Sequence, residues 1–106
     1  MALTRAFKET VKARADVDAA FRAALLSEAV ELLLTGDLEG GKLVLRDTIN
    51  ATIGFEDLAA QLGKSPKSLM RMVGPAGNPT AENLFAVISR LQDAMGVQLS
   101  VHSAAA

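Results

Sequence analysis

Cysteine, tryptophan and tyrosine are absent from this chain, and histidine occurs once. Without thiols, a disulfide scaffold, a zinc finger, an iron–sulfur centre and a thiol nucleophile are excluded. The only aromatic residues are four Phe, which argues against a nucleic-acid surface built on stacked rings. Apolar runs such as Leu32-Leu33-Leu34 fall far short of the roughly 20 residues that a membrane span needs. No apolar stretch of signal type follows Met1, so the reading is of a cytoplasmic protein without a membrane partner. The one histidine, His102, has no acid close to it in sequence, and the adjacent Glu56-Asp57 suit the first turn of a helix better than an acid/base pair. The sequence therefore predicts no enzyme, no metal site and no cofactor.

What is present is globular. The chain has 106 residues, half of them apolar and 22% charged, a composition that supports one core in one domain spanning residues 1–106. The net charge of −1 hides an uneven distribution. Residues 1–14 carry Arg5, Lys8, Lys12 and Arg14 against Glu9, whereas residues 15–63 carry three basic and nine acidic side chains. Residues 64–106 are again net positive, and no acid occurs between Lys64 and Ala81. A screening length of about 8 Å at physiological salt lets such a local patch act independently of the acidic half.

Periodicity predicts a chain of helices. Asp18 to Leu34 carries an apolar stripe at Phe21, Leu25, Ala29 and Leu32, with Leu26, Val30 and Leu33 beside it, and either Asp16 or Asp18 caps its start. A short, frayed helix around Phe7 and Val11 precedes it. A further helix runs from Leu38 to about Thr52 with Leu38, Leu45, Ile49 and Ile53 near one face. Phe55 to Leu62 is the next, with acids in its first turn. Ser65 and Pro66 then open another, as N-cap and first helical residue, which ends at Gly74-Pro75. After a loop rich in Gly and Pro, Thr80 caps a helix that carries Leu84, Val87, Ile88, Leu91 and Met95 to Gly96. Val97 to Val101 alternates apolar and polar residues, the pattern of one half-buried strand. The remaining Phe residues and Met72 fall on apolar faces and read as core.

Residues 55–74 are the most informative. Two short helices joined by Gly63-Lys64-Ser65, with Ala59 four positions before the glycine, make a helix-turn-helix pattern: the small residue permits a close crossing, and Gly admits the positive φ of a tight reversal. On the second helix Leu69, Met72 and Val73 share one face, while Lys67 and Arg71 lie together on the other, flanked by Ser68 and Met70. An anchored inner face and an outer face of donors is what a DNA-reading helix requires. By contrast, Gly36-Asp37-Leu38-Glu39-Gly40-Gly41-Lys42 has the spacing of a phosphate-binding loop but follows with Leu43 where a hydroxyl is needed, and it carries two acids. It reads as a helix–helix connection.

The run Gly54-Phe55-Glu56-Asp57-Leu58-Ala59 through Gly63-Lys64-Ser65-Pro66-Lys67-Ser68-Leu69, the loop Gly77-Asn78-Pro79-Thr80, and a helix ending in Gly96-Val97-Gln98-Leu99-Ser100-Val101 resemble the HigA-like addiction-module antidote proteins, members of the lambda-repressor-like helix-turn-helix regulators. The resemblance covers about residues 38–101. It implies an all-α bundle (38–95) with a short C-terminal strand (97–101), to which this chain adds a helical extension (1–36). It also implies an antitoxin of a type II toxin–antitoxin module, which neutralises a RelE/ParE-like toxin and represses its own operon. By the same resemblance Ser65, Lys67, Ser68 and Arg71 face the major groove of double-stranded DNA, with Lys64 and Asn78 near phosphates. The extension and the near-neutral charge depart from a minimal repressor domain and leave two alternatives, an orphan regulator and an interaction module that neutralises a partner without reading DNA.

A lone strand leaves its backbone groups unpaired. Pairing of Val97, Leu99 and Val101 with a second copy across a two-fold axis predicts a homodimer, with two reading helices about one DNA turn, roughly 34 Å, apart. The N-terminal third, basic over residues 1–14 and acidic at Glu28 and Glu31, reads in two ways, as a surface for a protein partner or as a helix that merely caps the core.

Overall fold

The computed structural model describes residues 5–106, Asp16 by its backbone alone; the first four residues of the expected extension lie outside it. The described chain is all-helical, with six helices in the order α1 (Arg5–Val17), α2 (Ala19–Leu34), α3 (Leu38–Ala51), α4 (Phe55–Gln61), α5 (Pro66–Met72) and α6 (Ala81–Met95).

The expected short, frayed first helix is 13 residues long and is built into the fold, with Ala15 fully buried. Its end is closed by its successor. Asp18 takes an extended backbone and accepts a bond from the Phe21 N–H at 3.0 Å, capping α2. Arg22 donates to the Ala15 carbonyl at 2.7 Å, satisfying one of the acceptors that a helix C-terminus leaves open. Arg14 lies over the Phe21 ring, 4.5 Å from its centroid.

α2 is apolar on nearly all sides, so its pattern does not fix which side turns inward. The buried line is Leu26 and Ala29, with Val30 and Leu33 packed against the core. Phe21, Leu25 and Leu32 from the expected stripe are only half-buried. The α3 backbone sets this phase: a Cβ at Gly41 would collide with the Leu33 side chain and stand 3.3 Å from the Ala29 carbonyl. Along α3, Leu45 and Ile49 are buried as expected, but Leu38 lies at the rim. The cap of α3 is Asp37, which accepts from the Gly40 N–H at 2.9 Å. Leu58, Ala59, Leu69, Val73, Val87, Ile88, Leu91 and Met95 complete one core with α2 and α3, so α2 is part of the bundle and not a detachable arm.

Two expectations are corrected. Phe7 and Phe85 are exposed, not core; Phe85 sits on α6 opposite the Val87–Leu91 line that faces the bundle. The expected strand at Val97–Val101 is irregular chain, and no strand occurs among the described residues. Within a single chain this segment has no strand to pair with. It is instead tied to α6: the Val97 N–H donates to the Gln92 carbonyl at 3.1 Å and the Leu99 N–H to the Gln92 side-chain oxygen at 2.8 Å. The alternation survives as facing, since Val97 and Leu99 pack against the core while Val101 is exposed.

Candidate nucleic-acid interface

The turn between α4 and α5 is built from Leu62, Gly63, Lys64 and Ser65. Gly63 takes φ +66°, and the Lys64 N–H returns to the Ala59 carbonyl at 2.9 Å, closing α4 in the manner of a left-handed C-terminal cap. Ser65 is extended, and its Oγ accepts from the Ser68 N–H at 3.1 Å, with Pro66 at the first helical position. α5 packs chiefly against α4. Its inner face carries Leu69 and Val73, both fully buried, with Met72 partly so. Its outer face carries Ser65, Lys67, Ser68, Met70 and Arg71, all exposed.

Four of the six sequence-predicted DNA residues come together around one open recess of about 390 Å³. Lys64, Ser68, Arg71 and Asn78 line it with Gly77, Thr80 and Asn83, between α5, the loop and the start of α6. Ser65 and Lys67 lie outside the recess, exposed at the opening turn of α5. Thr80 caps α6 by accepting from the Asn83 N–H at 3.1 Å, so the positive end of the α6 dipole adjoins the recess.

Several cations elsewhere are committed, although Lys8 and the exposed Arg90 also make no hydrogen bond or ion pair among the described residues. Arg5 bonds Glu9, Arg14 lies 3.7 Å from Asp18, and Lys42 pairs with Glu39. Arg22 and Arg46 donate to backbone carbonyls. The side chains of Lys64, Lys67 and Arg71 make no hydrogen bond or ion pair among the described residues. Their charge is uncommitted and solvent-facing, the state that phosphates exploit.

Sequence reasoning missed two residues that shape this surface. Lys42, the last residue of the phosphate-loop look-alike, is fully buried inside α3. Its Nζ donates to the Gly74 carbonyl at 3.1 Å and the Gly77 carbonyl at 2.6 Å, and it pairs with Glu39 at 2.8 Å. One turn on, Arg46 donates to the Val73 carbonyl. Two cations of α3 thus bind the carbonyls where α5 ends and the loop begins, the end of a helix that favours positive charge. The signal was present: Lys42 stands on the Leu38, Leu45, Ile49 stripe, a cation where an apolar residue is due. The loop closes tightly over this point, for a Cβ at Gly77 would collide with the carbonyl oxygens of Arg71 and Met72.

Elsewhere, Asp47 on α3 has its pKa raised from an ordinary 3.8 by burial, opposed by Arg46 and Lys8 and reinforced by Glu28. His102 lies 3.0 Å from the Ser100 hydroxyl on the exposed tail, and no group of three potential metal ligands occurs among the described residues. No helix among them is long and apolar enough to cross a membrane. No family model, no curated protein and no solved structure matches the chain, so the case for its function rests on the site itself.

Proposed function

We propose that this chain is a sequence-specific regulator of double-stranded DNA, with α4 and α5 as a helix-turn-helix and α5 as the helix that enters the major groove. The observation that carries the reading is the cluster of uncommitted cations, Lys67 and Arg71 on the outer side of a capped helix whose inner side is anchored by Leu69 and Val73, with Lys64 half-buried in the turn before it. Arg71 presents a planar fork matched to the two acceptors of guanine. Lys64 and Asn78, at the rim of the recess beside the α6 N-terminus, suit a phosphate of the same strand.

A homodimer fits this reading. Gln98, Ser100 and Val101 of the irregular 97–101 segment are exposed, and its pairing with a second copy would turn it into a two-stranded ribbon and set two α5 helices on one face. With the resemblance to HigA-like antidotes, the fullest form of the proposal is an antitoxin that represses its own operon and captures a RelE/ParE-like toxin. The alternative, an interaction module that does not read DNA, draws on the exposed Phe7, Val17 and Leu34 of α1 and α2.

A gel shift with the duplex upstream of its own gene tests the proposal. Binding that weakens with salt and is lost in an Arg71→Ala, Lys67→Ala double variant is expected. Unchanged affinity in a folded double variant leaves the interaction module standing.

A further inference from the structure

Among the described cations, Lys42 is the one with a fully buried side chain, and all three of its polar partners are known. Two are carbonyls of the loop after α5, more than thirty residues away in sequence, and one is the Glu39 carboxylate one turn back. Taking an ammonium out of water is costly unless it is fully bonded, and a helix–helix contact needs no charge at this place. An apolar side chain there would fill the space but leave the Gly77 carbonyl without its amine donor and the Gly74 carbonyl with only the Gly77 N–H. The amine therefore specifies the path of the backbone and not merely its packing.

We propose that Lys42, steadied by Glu39, is a positioning residue that seats the Gly74–Thr80 loop against the end of α5 and so holds Asn78 and Arg71 in register at the recess. The inference rests on the DNA reading above. α5 has only seven residues and packs chiefly against α4, so bonds from α3 to the carbonyls that follow it are a separate restraint on its pitch. The loop in turn sets the distance between the α5 outer face and the α6 N-terminus, the two sides of the recess. If the loop lifts, the phosphate-facing groups separate while the helices themselves persist.

The test uses the full chain and the duplex upstream of its own gene. Lys42→Met is expected to weaken binding by about tenfold or more. The backbone amide of Gly77, which donates to the Gly74 carbonyl, exchanges faster in this variant, with those of α6 unchanged. Because the chain has no cysteine, Lys42→Cys alkylated with 2-bromoethylamine while unfolded, then refolded, restores an amine at the same reach. Recovery to within about threefold of wild type is the expected result. Should Lys42→Met fail to fold, Gly77→Ala displaces the same loop through a backbone clash while keeping the Lys42 side chain, and Glu39→Gln removes only the charge of the exposed partner; both are expected to reproduce the reduced affinity. Folded variants that bind the duplex within twofold of wild type at every salt concentration overturn the positioning role alone. A wild-type chain that fails to bind overturns the DNA reading together with it.

Discussion

The face assignment of α5 makes a crossed prediction, because two of its residues two positions apart serve opposite purposes. Leu69 is fully buried, and truncation to Ala removes its methyl groups and leaves a cavity, at a cost of about 2–5 kcal/mol. For a domain of about this size that lowers the melting temperature by roughly 10–20 °C. Arg71 is exposed and makes no internal bond, so Arg71→Ala stays within about 0.5 kcal/mol of wild type in stability. On DNA the order reverses. Loss of a bidentate guanine contact costs roughly 1–3 kcal/mol, or about 5- to 150-fold in Kd, and relaxes specificity at one base pair. Leu69→Ala at a temperature where it is folded loses far less. Thermal melts by circular dichroism, paired with titrations of operator and scrambled duplexes at several salt concentrations, read both axes. A melting shift for Arg71→Ala as large as that of Leu69→Ala refutes the assignment of faces, and so does operator binding indifferent to Arg71.

At the α2–α3 seam, Gly41→Ala places a methyl group against Leu33 and the Ala29 carbonyl. The overpacking is expected to destabilise by about 1–3 kcal/mol in denaturant melts; a stabilised variant contradicts the close approach. For Asp47, burial raises the folded pKa above 3.8, so ionisation opposes folding, and its contribution is fully favourable only below the unfolded value and is lost as pH rises through the folded one. Asp47→Asn is therefore more stable than wild type at pH 7, with the difference vanishing towards pH 3; urea melts across that range check the sign. Truncation after Gly96 removes Val97 and Leu99 from the core surface, at about 1–2 kcal/mol, and is expected to give monomers by light scattering with weaker duplex binding. A truncated chain that remains dimeric places the interface elsewhere.

Local rules reached most caps and turns because those depend on a few adjacent residues. Ser65, Thr80 and Asp18, one of two residues offered for α2, each accept from an N–H three residues on, and the Gly63 reversal has the positive φ that its position demanded. Sequence reasoning missed Asp37, which caps α3 in the same way. The phase of α2 was not legible for the opposite reason. A helix apolar on nearly every side offers several inward faces, and the choice between Leu25 and Leu26 is made by Gly41 on another helix. The C-terminal segment shows a further limit: alternation of Val97, Gln98, Leu99 and Ser100 specifies which side chains face inward, but a strand is a relation between two segments. With no strand to pair with among the described residues, Gln92 takes up the N–H groups of Val97 and Leu99.

At the candidate site the same division separates Arg71 from Lys42. The outward cations were legible because a reading face needs nothing beyond helical spacing on one short element. Their orientation is another matter, since a seven-residue helix is unstable alone in water and takes its pitch from whatever holds it. Leu69 and Val73 press it inward, and the Ser65 cap fixes its start. Lys42 and Arg46 bind the carbonyls of Gly74, Gly77 and Val73 at its end. These last bonds span 27 to 35 residues, a separation over which no motif in residues 55–80 carries information. In the proposed DNA reading, the residues that would touch the duplex and those that aim them therefore lie on different helices. Substitutions on α3 that leave residues 55–74 intact are accordingly expected to alter DNA affinity.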